Sequence, residues 1–336
     1  MAQGPTSGAF GYINYGFEST YGTVAASFPR QFGHGSKLTV NRKNNMEQVF
    51  GAGSRNATAN VAKKFEGDYV VEFDLDAGDT TIAGGASWLR AVMGAIPTDG
   101  GATPYTHTYV ESNTIASFSI ANGIELGTND YVSALIGCKV KVCEISFAVD
   151  EIAKVKLSGP YRTESVAVAG IGSAVVPIGV PMTFAQVAIS VAGTTVGYVQ
   201  SGTLTITNDI DMRWGAGSRY STAGPEKTRK YAFKGTVDFS DVTLLVEKFA
   251  GTTVPYTAAA LATLNPAGVA MIWTFDNGLT VINSRKIVFT FANFYLDTHT
   301  LPTDVNEIIM EDVSGWANSC TNVVVSNATA TDVASP

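Results

Sequence analysis

One short motif is written twice in this chain, and its spacing constrains the fold more than any other feature. Phe50-Gly51-Ala52-Gly53-Ser54-Arg55 returns as Trp214-Gly215-Ala216-Gly217-Ser218-Arg219, at an offset of 164 in a chain of 336. Upstream, Leu38-Thr39-Val40 answers to Leu204-Thr205-Ile206 at an offset of 166; downstream, Phe65-Glu66-Gly67 answers to Phe233-Lys234-Gly235 at 168. Offsets that drift so little point to one unit, duplicated and fused. Two copies are too few for a solenoid, which needs at least about three to bury a continuous core. The reading is therefore two tandem domains, 1–165 and 182–325, with a Gly- and Pro-containing crossover at 166–181 and a loose tail at 326–336. A fused pair of this kind also suits a symmetric assembly that needs two equivalent faces.

Two-residue alternation dominates, the period of half-buried strands. Over Phe65–Asp76 the residues Phe65, Gly67, Tyr69, Val71, Phe73 and Leu75 take one face, and Glu66, Asp68, Val70, Glu72, Asp74 and Asp76 the other. Phe233–Phe239 repeats the apolar face but sets Lys234, Thr236 and Asp238 opposite it. A strand is expected ahead of each, over Lys37–Val49 and Thr203–Met212. Between the paired strands lie two long loops, Gly51–Ala62 and Gly215–Lys230, which hold the repeated motif. Loops this long inside a compact domain are usually functional or disordered, and the recurrence of the same residues argues against disorder.

A short amphipathic helix is expected over Ala86–Ile96, with Trp88, Leu89, Val92, Met93 and Ile96 on one face and Pro97 stopping it. Its counterpart begins at Ser240 or Asp241 and carries Val242, Leu245, Val246 and Phe249 at helical spacing. Further strands read as Ser117–Glu125, Cys138–Val149, Ile152–Leu157, Ala270–Thr274 and Lys286–Leu296. Within Cys138–Val149 the apolar phase moves from Val140 and Val142 to Ile145, Phe147 and Val149, which predicts a bulge near Cys143-Glu144. Asp150-Glu151 reads as a turn. The fold class is mainly β: two duplicated β-sandwich or barrel domains, each with a short packed helix and a long inter-strand loop.

Only 15% of residues are charged, against about 25% in an average globular chain. Either partners cover part of the surface, or neutral Thr, Ser and Asn replace charge on it. A net charge of −7 excludes gripping nucleic acid through clustered cations. No run approaches the roughly 18 apolar residues of a membrane helix, and Met1-Ala2-Gln3-Gly4-Pro5 lacks signal-peptide character, so cytoplasmic synthesis and assembly are expected. Three cysteines imply no disulfide framework, and three dispersed histidines form no zinc pattern.

Gly51-Ala52-Gly53 lacks the third glycine and following helix of a dinucleotide fingerprint, and Phe32–Lys37 lacks the spacing of a phosphate loop. Glu66, Asp68, Glu72 and Asp74 spread over ~20 Å of strand, too far for one metal or one scissile bond. They form either a solvated strand face or a surface that generates a field. Arg55 and Arg219 are either exposed turn residues or forks for a carboxylate on a neighbouring subunit. No nucleophile–base constellation is visible, so neither an enzyme nor a cofactor or metal is expected.

Several features, taken in order, resemble the major tail tube proteins of long-tailed phages. They are Gly16-Phe17-Glu18-Ser19-Thr20-Tyr21-Gly22-Thr23, the strand–loop–strand around Gly51–Arg55, the helix Trp88–Ile96, and Pro104-Tyr105-Thr106-His107-Thr108-Tyr109 leading into Ser117-Phe118-Ser119-Ile120. The resemblance spans about Gly11–Val325 and implies a ring-forming β domain whose strands join those of neighbours around a channel. It implies that the loops holding Gly51, Gly53, Ser54, Arg55, Gly215, Gly217, Ser218 and Arg219 contact other subunits or rings. It implies that Glu66, Asp68, Glu72 and Asp74 face a lumen through which genomic DNA passes without specific binding. The usual subunit carries one such domain and forms sixfold rings. Two domains per chain make a homotrimer with pseudo-sixfold symmetry the expected ring, with a homohexamer as the alternative. The implied partners are the tape measure protein and the tail terminator and tip proteins, within the virion tail and with no membrane. Other readings are a tail-tip, hub or capsid-decoration protein on the same module, or a carbohydrate-binding adhesive sandwich. The latter needs an aromatic platform, whereas Trp88, Trp214, Trp273 and Trp316 sit in separate elements.

Overall fold

A computed structural model describes residues 11–53, 55–77, 86–124, 131–166, 179–197, 199–238, 268–280, 283–300 and 310–328. Its first half holds β1 (Gly11–Phe17), β2 (Arg30–Gln31), β3 (Lys37–Lys43), β4 (Met46–Phe50), β5 (Ala57–Ala62), β6 (Glu66–Asp74), the helix α1 (Leu89–Met93), β7 (Thr98–Gly100), β8 (Tyr105–Tyr109), β9 (Phe118–Ile124), β10 (Tyr131–Cys138), β11 (Val142–Ala148), β12 (Lys154–Tyr161) and β13 (Thr163–Val166). Its second half holds β14 (Val187–Val191), β15 (Thr194–Val196), β16 (Val199–Ile210), β17 (Arg213–Trp214), β18 (Ser221–Ala223), β19 (Glu226–Asp238), β20 (Val269–Asp276), β21 (Lys286–Thr300) and β22 (Met310–Asn327). The protein is mainly β, as its alternation predicts.

Two sheets pack face to face. The smaller runs β13-β10-β9-β1-β2; the larger runs β15-β14-β20-β21-β22-β19-β16-β11-β12-β6-β3 and is open at both ends among the described residues. The halves share this larger sheet through β11 and β16, from Val142↔Thr207 to Ala148↔Ser201. They meet again where β8 pairs with the far end of β22, from Tyr109↔Val323 to Tyr105↔Asn327. On β6, Gly67, Tyr69, Val71 and Phe73 are buried while Asp68 and Glu72 are exposed, so the predicted alternation holds. Phe32 of the small-sheet side meets Phe73 at 5.5 Å, and Phe118 meets Tyr69 at 5.9 Å. Each fully buried aromatic or aliphatic side chain here contributes about 1.5–3 kcal/mol.

The helix is shorter than expected. A 3-10 turn over Ala86–Trp88 leads into α1, and Trp88, Leu89, Val92 and Met93 are buried as the pattern requires. Gly94 at φ 98° ends it, not Pro97, and its N–H donates to the Arg90 carbonyl. Ile96 therefore lies beyond the helix and is 57% exposed. The second half caps this helix end. Asn208 Nδ2 donates to the Val92 carbonyl at 3.1 Å, and Arg229 Nη2 donates to the Met93 and Ser112 carbonyls. These satisfy carbonyls that a helix leaves without internal partners.

The predicted bulge at Cys143-Glu144 is instead a change of sheet at Lys139–Lys141. Cys138 ends β10 in the small sheet, and Cys143 lies in β11 of the large sheet, in phase with buried Ile145 and Phe147. The crossing is tight: a Cβ on Gly159 would sit 1.9 Å from the Lys139 carbonyl oxygen, so only glycine fits. Asp150 makes the predicted turn at φ 63°. The longest strand, β22, has no counterpart in the sequence reading, because Ser314, Gly315 and Ser319 dilute its alternation. The expected helix near Ser240–Phe249, most of the 166–181 crossover and residues 329–336 lie outside the described residues.

Candidate functional site

Both copies of the repeated motif occupy the tips of hairpin arms. The β3–β6 ladder ends at Lys43↔Glu66, and beyond it the ribbon β4–β5 runs from Met46↔Ala62 to Phe50↔Ala57. The β16–β19 ladder ends at Ile210↔Glu226, and beyond it lies the shorter ribbon β17–β18. The expected strand Lys37–Val49 is thus broken at Asn44-Asn45, where Asn45 takes φ 45°. The second half of the expected loop Gly51–Ala62 is strand β5, and Gly215–Lys230 contains β18 and the start of β19. Pairing across a hairpin uses residues whose own pattern is polar, which is why the sequence reads as loop.

The two tips share one construction. Thr58 Oγ1 donates to the Val49 carbonyl at 3.1 Å, and Thr222 Oγ1, at the offset of the motif, donates to the Arg213 carbonyl at 3.3 Å. Gly53 and Gly217 take φ 79° and 87°, conformations that side chains disfavour. The second glycine of each motif copy is therefore explained by the turn. Ser54 lies outside the described residues; Ser218 Oγ donates to the Tyr220 carbonyl at 3.1 Å. The arginines are not required by the turn.

The surroundings of the tips differ. The second arm folds onto the base of the first. Trp214 Nε1 donates to the Phe65 carbonyl at 3.2 Å, and the Phe65 N–H donates to the Arg219 carbonyl at 2.9 Å. The Tyr220 ring lies 5.6 Å from that of Phe65, and Lys64 Nζ sits 4.5 Å above the Trp214 ring. Arg219 Nη2 donates to Asn44 Oδ1 at 3.1 Å. Trp214, Met212 and Ser221 line a cleft of about 410 Å³ against Phe65, Glu66 and Asp68. The first arm is bare by contrast. Met46, Val49, Phe50 and Val61 are exposed on it, Phe50 by 57%. Arg55 makes no hydrogen bond or ion pair among the described residues.

Glu66, Asp68, Glu72 and Asp74 share the outer face of β6, but lysines flank them. Glu72 lies opposite Lys37 of β3 and Lys156 of β12, Asp74 opposite Lys154, and Glu66 opposite Lys43. Lys156 also reaches Glu144 of β11 at 3.3 Å. The face is therefore a mosaic of both signs. A hydrogen bond from Lys64, then one from Asn45, holds the Glu66 carboxyl below the usual range. Burial pushes the Asp68 carboxyl up, against the opposing pull of Lys141.

The sequence pattern misses Asn44, Phe65 and Tyr220 as arm contacts, and it passes over Asp209. A signal is available: Asn44-Asn45 precedes Asn208-Asp209 by 164, the offset of the motif itself. Of the tryptophans, Trp88 and Trp273 are core, Trp214 belongs to the clasp, and exposed Trp316 stacks on Tyr295 at 6.1 Å. All three cysteines are buried, and burial raises the Cys320 thiol to about 12. Among the described residues no cluster of His, Cys, Asp and Glu is placed to hold a metal ion, and no helix is long and apolar enough to cross a membrane.

Open sheet edges together with a bare apolar arm define a class: a β building block made to associate with other chains. The family model of phage tail tube proteins matches residues 8–315, and the chain belongs to that family. Its role is structural, in the tail of the virion, where tube proteins assemble with themselves. No curated protein matches the chain significantly.

Proposed function

We propose that three copies of this chain close each ring of the tail tube, with the halves 1–165 and 182–325 taking six pseudo-equivalent positions around a channel. The observation that carries this reading is the pair of arms: two tips of one construction in one chain, one seated and one bare. The edges β3 and β15 supply the strands that neighbouring copies extend. Stacked rings then form a tube that houses the tape measure protein and is closed by terminator and tip proteins. Mass measurement of an isolated ring tests the stoichiometry: three chains are expected, and six chains overturn it.

The face bearing Glu66, Asp68, Glu72 and Asp74 lines the channel. Interleaved carboxylates deny the DNA phosphates a continuous cationic track, so the genome slides without sticking. Replacing all four with lysine is expected to slow DNA ejection and to make it salt-dependent. Unchanged ejection kinetics would remove this face from the lumen.

A further inference from the structure

We propose that Arg55, at the tip of the first arm, pairs with Asp209 of a second copy of this chain, repeating between chains the clasp that Arg219 makes within one. This rests on the ring assembly proposed above and names its contact. Within the chain, the second arm reaches the hinge of the first ribbon, where Arg219 Nη2 meets Asn44 Oδ1 at 3.1 Å. The matching position in the second arm is Asn208-Asp209, which stands to Asn44-Asn45 at the motif's own offset of 164 and lies near the end of β16, just before the strand breaks at Asp211-Met212 ahead of β17. Asn208 is buried there, giving its amide to the Val92 and Val140 carbonyls and accepting from Arg229. Asp209 is the side chain left over. It sits at the register shift between Asn208 and Ile210, half-buried, with no hydrogen bond or ion pair among the described residues.

The receiving surface also has its counterpart. Trp214 and its neighbours line a cleft of about 410 Å³ beside the first hinge. A cleft of about 480 Å³ lies beside that end of β16, lined by Asp209, Glu226, Lys227 and Glu111 among others. No arm of the same chain roofs it among the described residues. Phe50 stands at the motif position of Trp214 and is 57% exposed, so docking the first arm there covers it as Trp214 is covered. Where the intrachain contact joins arginine to a neutral amide, the interchain one joins arginine to a carboxylate. The charged pair is the stronger, and it can be bidentate. A junction between separate chains, which receives no help from covalent linkage, calls for that extra strength.

The test is a charge exchange in the full-length chain, read by sedimentation and electron microscopy across concentration. Arg55→Glu and Asp209→Arg are each expected to raise the concentration needed for assembly at least about tenfold, the cost of one coupled interface charge pair. The double exchange is expected to restore it. Thermal melts of the dilute chains should be unchanged for Arg55→Glu, since that side chain is exposed. As an independent arm, Arg55→Cys with Asp209→Cys should form chain-to-chain disulfides on oxidation, while the buried native cysteines stay silent. Wild-type assembly with single variants that assemble equally well, or a double exchange that fails to rescue, overturns the pairing and leaves the tube reading intact. A wild-type chain that remains monomeric at every concentration overturns both.

Discussion

The two arms carry the same turn and live in different surroundings. At one tip Trp214 and Arg219 are held by Phe65 and Asn44 of the same chain; at the other Phe50 and Arg55 meet solvent. Since the turn geometry matches down to the threonine hydrogen bond, the motif cannot by itself decide whether an arm is seated. Seating depends on what the rest of the chain brings within reach. In this protein the second arm finds its base on the preceding ribbon, whereas the strands before the first arm, β1 and β2, belong to the smaller sheet.

Removing the first arm should give the largest contrast. Replacing Met46–Ala62 with a two-residue turn is expected to abolish assembly while the dilute chain keeps its circular dichroism and melting temperature. If tubes still form, the bare arm is not an assembly element. Trp214→Ala should come next. Losing its hydrogen bond, its ring packing and the Lys64 contact should cost about 2 kcal/mol in denaturant unfolding. Phe50→Ala in the dilute chain should stay within about 0.5 kcal/mol. Equal losses would erase the distinction between the arms.

Gly53→Ala and Gly217→Ala sharpen the comparison from the other side. Both glycines need a positive φ and neither has an atom within 4 Å of a built Cβ. Each substitution should therefore cost a similar amount, about 1 kcal/mol, by strain alone. A large difference would mean that the two turns are not the same.

The smallest effect concerns two carboxylates beneath the arm junction, both lining the cleft. The folded Glu66 value is depressed, so its contribution is present at neutral pH and lost as pH falls through that value. The folded Asp68 value is raised, so its contribution is present in acid and lost as pH rises through it. Asp68→Asn should therefore raise stability at neutral pH, by at most about 0.5 kcal/mol after solvent screening, and leave it unchanged in acid. Glu66→Gln should lower stability at neutral pH. Melts of both variants across pH would expose a wrong sign.

Much of this was legible without coordinates, because it depends on near neighbours in the chain. The alternation of Phe65–Asp76 set both faces of β6, and the spacing of Trp88, Leu89, Val92 and Met93 set the buried side of the helix. Gly-Ala-Gly marked both turns. Local pattern misled where the chain changed partners. The phase shift after Cys138 is a passage between sheets, and a bulge would have left the same trace. The polar residues of β5 concealed a strand because neither of its faces is buried.

The sequence by itself determined a mainly β protein, the positions of its two tips and the residue types displayed there. Those follow from backbone sterics and a period of two. Only the tertiary structure decided that one tip rests on Phe65, that lysines from β3 and β12 interleave with the carboxylates of β6, and that Asp209 forms no ion pair among the described residues. Each of these turns on which distant strands lie side by side, and register between strands far apart in sequence is set by the packing of the whole sheet.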